Sequence, residues 1–277
     1  MAKSSAMKQI PVYISKNFRL FKNQGDWKFI VIAAAISFLV CSIVGEEMFN
    51  TYEGTKSGFF AIMSAAIWIG IFNSIQRICK EHDTITSEYR AGLHLSSYVL
   101  SHVLFDFIIC LIQSIILIVI CSFYIDFPDT GIIFGASIIE YFITLFLIIW
   151  GSDIMGIMIS SIASSPNAAM TAMPFVLILQ LVMSGVLFDL NGVADKIAYI
   201  TISKWGMSAL GSISNLNSEA LPLKISEAFP QVVRLESEPA YEYTVQNLLQ
   251  SWGVILLISI SCYFIAVLSL KIRNRGS

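Results

Sequence analysis

The chain has 277 residues, of which 56% are hydrophobic and only 13% charged, with a formal net charge of -2. Its mean hydropathy of +0.74 exceeds what the core of a water-soluble protein of this length contains, which excludes an ordinary soluble enzyme. A membrane protein remains.

The first 28 residues carry Lys3, Lys8, Lys16, Arg19, Lys22 and Lys28, while Ile10, Ile14, Phe18 and Phe21 share one face at helical spacing. This pattern predicts an amphipathic helix lying on an anionic inner leaflet. No small-residue cleavage pattern precedes the first apolar run, so that run is expected to be a retained anchor. Gaps in charge then mark six spans, at 29–44, 57–76, 95–125, 131–163, 170–188 and 245–270. A hydrocarbon core of about 30 Å needs about 20 apolar residues. Most spans meet that length, the first does so with Trp27 and Lys28 at the interface, and the third and fourth exceed it, so they tilt, break or extend into water. The largest polar remainder, 191–244, mixes Ser, Asn, Glu and Pro with short apolar runs such as Val232 and Val233. It is expected to open with a re-entrant pair of short helices around 195–208 and then form a lid, with irregular backbone covered by protein or water. The fold class is therefore all-α integral membrane, a single domain over 1–277: a tail at 1–28, spans one to five within 29–190, the outer segment 191–244, span six at 245–270 and a tail at 271–277.

Orientation follows from the lysines and arginines. Of 17 basic residues, 12 fall on the side of the amino terminus, including Arg77, Lys80 and Arg90 and the final Lys271, Arg273 and Arg275, and 5 fall opposite. The first interspan loop offers Glu46, Glu47 and Glu53 against a single Lys56. Both termini are expected in the cytoplasm of a multi-pass cell-membrane protein.

All five cysteines, Cys41, Cys79, Cys110, Cys121 and Cys262, lie in or at the ends of spans, so no disulfide framework is expected in the outer loops. His82, His94 and His102 lack the spacing of a metal site, and no metal is expected. No G-x-S-x-G elbow is present, and Gly156, Gly185 and Gly192 are not followed by the Lys-Ser or Lys-Thr that binds phosphates. No catalytic residue is assigned.

Three acidic residues interrupt the spans: Asp106, Glu140 and Asp153. Such a side chain at the centre of a span costs about 2.5 to 3.5 kcal/mol on insertion scales, so each should face protein or water. Asp106 has His102 one turn earlier on the same face and is expected to pair with it. For Glu140 and Asp153, use in cargo binding or proton coupling stands against a fourth helix that reaches water near its ends.

The most specific segment is FNSIQRICKEHDTITSEYRAGLHLSSYVLSHVLFD, from Phe72 to Asp106. Its inner part mixes Glu81, Glu88 and Arg90 with Ile85 and Tyr89 and ends at Gly92. A glutamate leaving the second span (Glu81), a glutamate, aromatic and glycine (Glu88, Tyr89, Gly92), and a Ser-Tyr pair opening the third (Ser97, Tyr98) resemble the coupling region of the ABC type-2 permease family, in particular its G-subfamily exporters of the white and pleiotropic drug resistance type. Pro174, Ser184, Gly185 and the run ISKWGMSAL from Ile202 to Leu210 are similar to a second family block. His82 departs from the basic residue common there, and no ATPase is fused within these residues.

The resemblance implies an exporter permease working by alternating access with a separate ABC ATPase, which would hold ATP and Mg, and with a second copy or homologue of this chain. It implies that Glu81, Glu88, Tyr89 and Arg90 meet the ATPase, that Ala66, Ile69, Asn73, Pro174, Leu177, Ile178 and Leu181 line a cargo cavity, and that Val186 and Leu187 close its outer exit. An uncharged cavity favours a lipid, hydrophobic peptide or drug-like cargo. The lipid bilayer is the other partner, and no nucleic acid is expected. A non-transporting sensor or scaffold, or an ATP-independent carrier, is the alternative.

Overall fold

A computed structural model describes residues 5–218, 221–223 and 237–275, and Lys3, Val232 and Val233 lie outside them. Eleven α-helices are present among the described residues: α1 (Ala6–Gln24), α2 (Lys28–Val44), α3 (Tyr52–Ser74), α4 (Arg77–Lys80), α5 (His82–Arg90), α6 (Leu95–Tyr124), α7 (Ser137–Ile162), α8 (Pro166–Val182), α9 (Val193–Ala198), α10 (Ile202–Ile213) and α11 (Val245–Arg275). Five of them are long and apolar enough to cross a membrane, and α8 is a shorter sixth apolar helix. The chain is an all-α integral membrane protein.

Local chemistry sets the helix ends. Thr51 opens α3 by accepting from the Gly54 N–H at 3.1 Å, and Ser165 opens α8 by accepting from the Ala168 N–H at 3.2 Å, with Pro166 in the first turn. Gly25 and Gly92 sit at φ +77° and +107° and end α1 and α5. At each, the following residue donates back into the last turn, Asp26 N–H to the Phe21 carbonyl and Leu93 N–H to that of Glu88.

The limits of the fourth and fifth spans differ from the sequence reading for physical reasons. The fourth helix starts at Ser137, not near 131, because 131–134 folds back over the carboxylate of Glu140. The fifth covers 166–182 and stops before Gly185, whose φ of +77° turns the chain away, so Val186 and Leu187 lie in the following loop.

Helix α3 is buried along most of its length against α7. Gly70 and Gly156 make this possible. A Cβ on Gly70 would collide with the Ile149 carbonyl, and one on Gly156 would lie 2.9 Å from that of Ile71. Small residues at such crossings let backbones approach where lipid gives no hydrophobic drive for association. α10 is buried nearly throughout, packed among α3, α7, α8 and α11. Trp252 of α11 donates to the Thr144 hydroxyl of α7 at 2.9 Å, closing that side of the bundle.

Cys41 of α2 and Cys121 of α6 are paired as a disulfide, so a cross-link joins two spans while Cys79, Cys110 and Cys262 are free and buried. Away from the termini, Lys56 pairs with Glu238 at 2.7 Å, and Tyr52 bonds the same carboxylate. Asn217 and the Glu238 backbone exchange two hydrogen bonds, at 2.9 and 3.0 Å. The Tyr241 ring lies over Gly211 of α10. These contacts fix the described part of the outer segment to α3 and α10.

Candidate functional site

At the end of the bundle that carries both termini, α4 and α5 form a short helical platform between α3 and α6. Ile78 and Ile85 anchor its apolar side, and Tyr89 packs part-buried on the core. Cys79 ties α4 to α7: its N–H donates to the Ser160 hydroxyl at 3.1 Å, and its thiol to the Ser160 carbonyl at 2.8 Å.

Helix α1 lies alongside this platform and is bound to it polar group by polar group. The Tyr13 hydroxyl donates to Glu88 at 2.8 Å. The Lys16 ammonium donates to Glu81 at 3.0 Å and stands 3.8 Å from Glu88. The Tyr98 hydroxyl of α6 donates to the same Glu81 oxygen at 3.0 Å, and the Tyr13 and Tyr98 rings meet edge-on at 5.6 Å. Gln9 donates to the Gly92 carbonyl at 3.1 Å and accepts from the His94 N–H at 2.9 Å. Burial foremost, and then the bond to Glu88, push the Tyr13 phenol above the usual tyrosine range.

On its other flank α5 meets α11. The Thr86 hydroxyl donates to Asn274 Oδ1 at 2.8 Å, while Arg273 donates to the carbonyls of Ala163 and Ser164 at 2.8 and 3.2 Å. Ser269 donates to the Ser161 carbonyl at 3.1 Å. The platform is thus braced by α1, α7 and α11.

Of the residues expected to meet an ATPase, Glu81 and Glu88 turn their carboxylates toward Tyr13 and Lys16 within the chain, because the α1 register brings those groups within hydrogen-bonding reach. Arg90 is exposed. Asp83, Thr84 and Ser87, which sequence reasoning passed over, share the exposed face of α5. Their spacing of three to four residues opposite Ile85 was the available signal.

The expected cavity residues on α3 do not face outward. Ala66, Ile69 and Asn73 are buried, and Asn73 exchanges hydrogen bonds with Gln113 of α6 at 2.7 and 3.0 Å. The close α3–α7 crossing turns that side inward and leaves Ser57 and Trp68 exposed, with Ala61 and Ser64 half-buried between them. On α8, Pro174 and Ile178 are exposed, Leu181 is half-buried and Leu177 points into the bundle. Val186 is half-buried and Leu187 exposed.

The buried acids also depart from expectation. Asp106 pairs with Arg77, not with His102, because Arg77 projects from α4 onto the same level of α6. His102 instead lies edge-on to the Tyr98 ring at 4.7 Å, with neither ring nitrogen hydrogen-bonded. Glu140 reaches no water: it is buried and accepts the N–H groups of Ile132, Ile133 and Phe134 at 2.9, 2.5 and 2.9 Å. Asp153 is buried at mid-helix, so α7 does not bring it to water either.

This architecture, a polytopic helical bundle with a braced two-helix platform between its second and third spans, defines a membrane permease domain. Residues 8–214 match the family model of the ABC-2 type transporter. The chain belongs to that family and is an ABC transporter permease. It is also similar to the ABC transporter ATP-binding/permease protein of Mycobacterium tuberculosis, at 24% identity over 154 residues. That match covers 54% of this chain and 18% of the relative's length.

Proposed function

We propose that this chain is the membrane-spanning subunit of an ATP-driven exporter, with its termini and α5 in the cytoplasm, and that it works with a separate ABC ATPase holding ATP and Mg and with a second copy or homologue of itself. One observation carries this reading. α5 presents Asp83, Thr84, Ser87 and Arg90 on one exposed face while its own back is fixed to α1 and α11 and the adjoining α4 to α7. A motor pressing on such a helix moves several membrane elements together, which is what alternating access requires. The relative's description as an ATP-binding/permease protein supports the pairing with an ATPase.

In this reading, cargo passes along the face formed by Ser57, Ala61, Ser64 and Trp68 of α3 with Pro174, Phe175 and Ile178 of α8. That face is apolar with two hydroxyls and no charge, which suits an amphiphilic lipid, peptide or drug-like molecule. Purification of the chain from its native membrane in mild detergent tests the reading. A stoichiometric P-loop ATPase, and ATP-dependent movement of a fluorescent phospholipid after co-reconstitution, are expected. An ATPase that binds without any cargo moving would support a sensor instead, and recovery of no ATPase would support an ATP-independent carrier.

A further inference from the structure

The Arg77, Asp106 and Asp153 cluster is not absorbed by the transport reading and does not depend on it. Arg77 reaches Asp106 Oδ1, but Asp106 Oδ2 and both carboxyl oxygens of Asp153 are buried without a donor. The two carboxyls neighbour each other, one from α6 and one from α7, helices that pack together. The groups that face them are few. Ser74 Oγ gives its proton to the Asp153 backbone carbonyl at 2.6 Å and stands close to its carboxyl as well. Cys110 and Asp26 are the other titratable groups near the pair, and neither is a cation. One guanidinium therefore stands against two buried carboxyls.

Two carboxylates this close in a water-poor interior cannot both stay ionised beside a single positive charge, since an unpaired buried charge is far more costly than a bound proton. A proton between them removes the excess charge and gives both remaining oxygens a partner at once. We propose that Asp106 and Asp153 form a proton-binding site, in which an Asp153 O–H donates to the Asp106 carboxylate and Arg77 completes a neutral triad.

The cluster has a polar approach. A cavity of about 20 Å³ lies beneath α1, where Asn17, Gln24, Asp26, Arg77, Glu81 and His102 share the lining with Leu20, Phe21 and Phe105, and it is large enough for one water molecule. Asn17 Nδ2 and both nitrogens of His102 are buried there with no partner in the chain, as groups awaiting water would be. Arg77 lines this cavity and holds Asp106 on its other side. As a neutral ring, His102 can donate at one nitrogen and accept at the other. The cavity places the exchange of this proton on the side of the membrane where α1 lies, with Arg77 and His102 at its wall.

Infrared spectroscopy of the full chain in lipid nanodiscs at neutral pH tests this. A protonated-carboxyl C=O band that shifts in D2O is expected, and it should vanish in both Asp153→Asn and Asp153→Ser. Both variants leave the Arg77–Asp106 pair in place, so each should keep the thermal stability of the parent, and either one that folds gives the readout. His102→Phe, which fills the cavity, should leave the band in place and slow its deuterium shift severalfold. Absence of the band at neutral pH, or its survival in a folded Asp153 variant, overturns the site. An unchanged exchange rate in His102→Phe overturns the route.

Discussion

Tyr13 and Glu88, 75 residues apart in sequence, meet at 2.8 Å across the gap between α1 and α5. With Lys16 spanning Glu81 and Glu88, this makes the amino-terminal helix and the platform one mechanical piece. Tyr13→Phe removes the bond while keeping the ring, and should cost about 0.5–1.5 kcal/mol. The folded phenol binds its proton more tightly than an unfolded one, whose pKa is about 10. Its stabilisation is therefore complete below about pH 10 and is lost as the pH rises further. Thermal unfolding of parent and variant across pH should show a constant gap that narrows only in that alkaline range.

The open and engaged faces of α5 should separate cleanly in a charge scan. Asp83→Arg changes a fully exposed position and should leave thermal stability within about 0.5 kcal/mol of the parent, while weakening ATPase association in a pull-down. Glu88→Lys faces Lys16 with a like charge and should lower the melting temperature before any partner is added. Equal loss of stability in both variants would refute the assignment of faces.

Gly70 and Gly253 offer a paired test of packing. Gly70→Ala places a methyl group against the backbone of α7 and should destabilise by about 1–3 kcal/mol, the usual cost of overpacking. Gly253 has open space where its Cβ would stand, so Gly253→Ala should be neutral or stabilising, as expected for a helix interior. Melting of the two variants in the same detergent gives the comparison.

Glu140 holds a loop through three backbone N–H groups. Glu140→Ala leaves three N–H groups without their acceptor and should cost about 1.5–3 kcal/mol. Glu140→Gln retains one acceptor oxygen and should cost less. In both, transport per folded molecule should equal that of the parent; selective loss of transport with normal melting would return the carboxylate to a working role.

Residue by residue, some features are plain in the sequence and others are not. The third span is visible because charge bounds it at both ends, and Gly92 closes α5 as its composition suggests. The orientation of α3 is hidden, because in a membrane both the lipid-facing and the buried side are apolar, and periodicity loses its contrast. Residue size keeps that information: Gly58, Ala66 and Gly70 mark the packed side while Trp68 marks the open one. The Arg77–Asp106 pair is missed by looking only one turn away on the same helix. Counting charge would have found it, since a buried aspartate needs a cation, donors or a proton, and Arg77 stands just past the end of the neighbouring span. The length of α8 is missed because a left-handed glycine leaves no trace in hydropathy.

The final turn of α11 acts as a bolt: Ser269, Arg273 and Asn274 pin the α7–α8 turn and the flank of α5 in a single stroke. Whatever is joined to this chain at its carboxyl end, whether an affinity handle, a fluorescent reporter or a neighbouring domain, therefore pulls directly on the platform. A fusion that preserves those three side chains and begins with a slack spacer leaves the bolt home, and one that trims them uncouples three helices from one another before the first experiment is run.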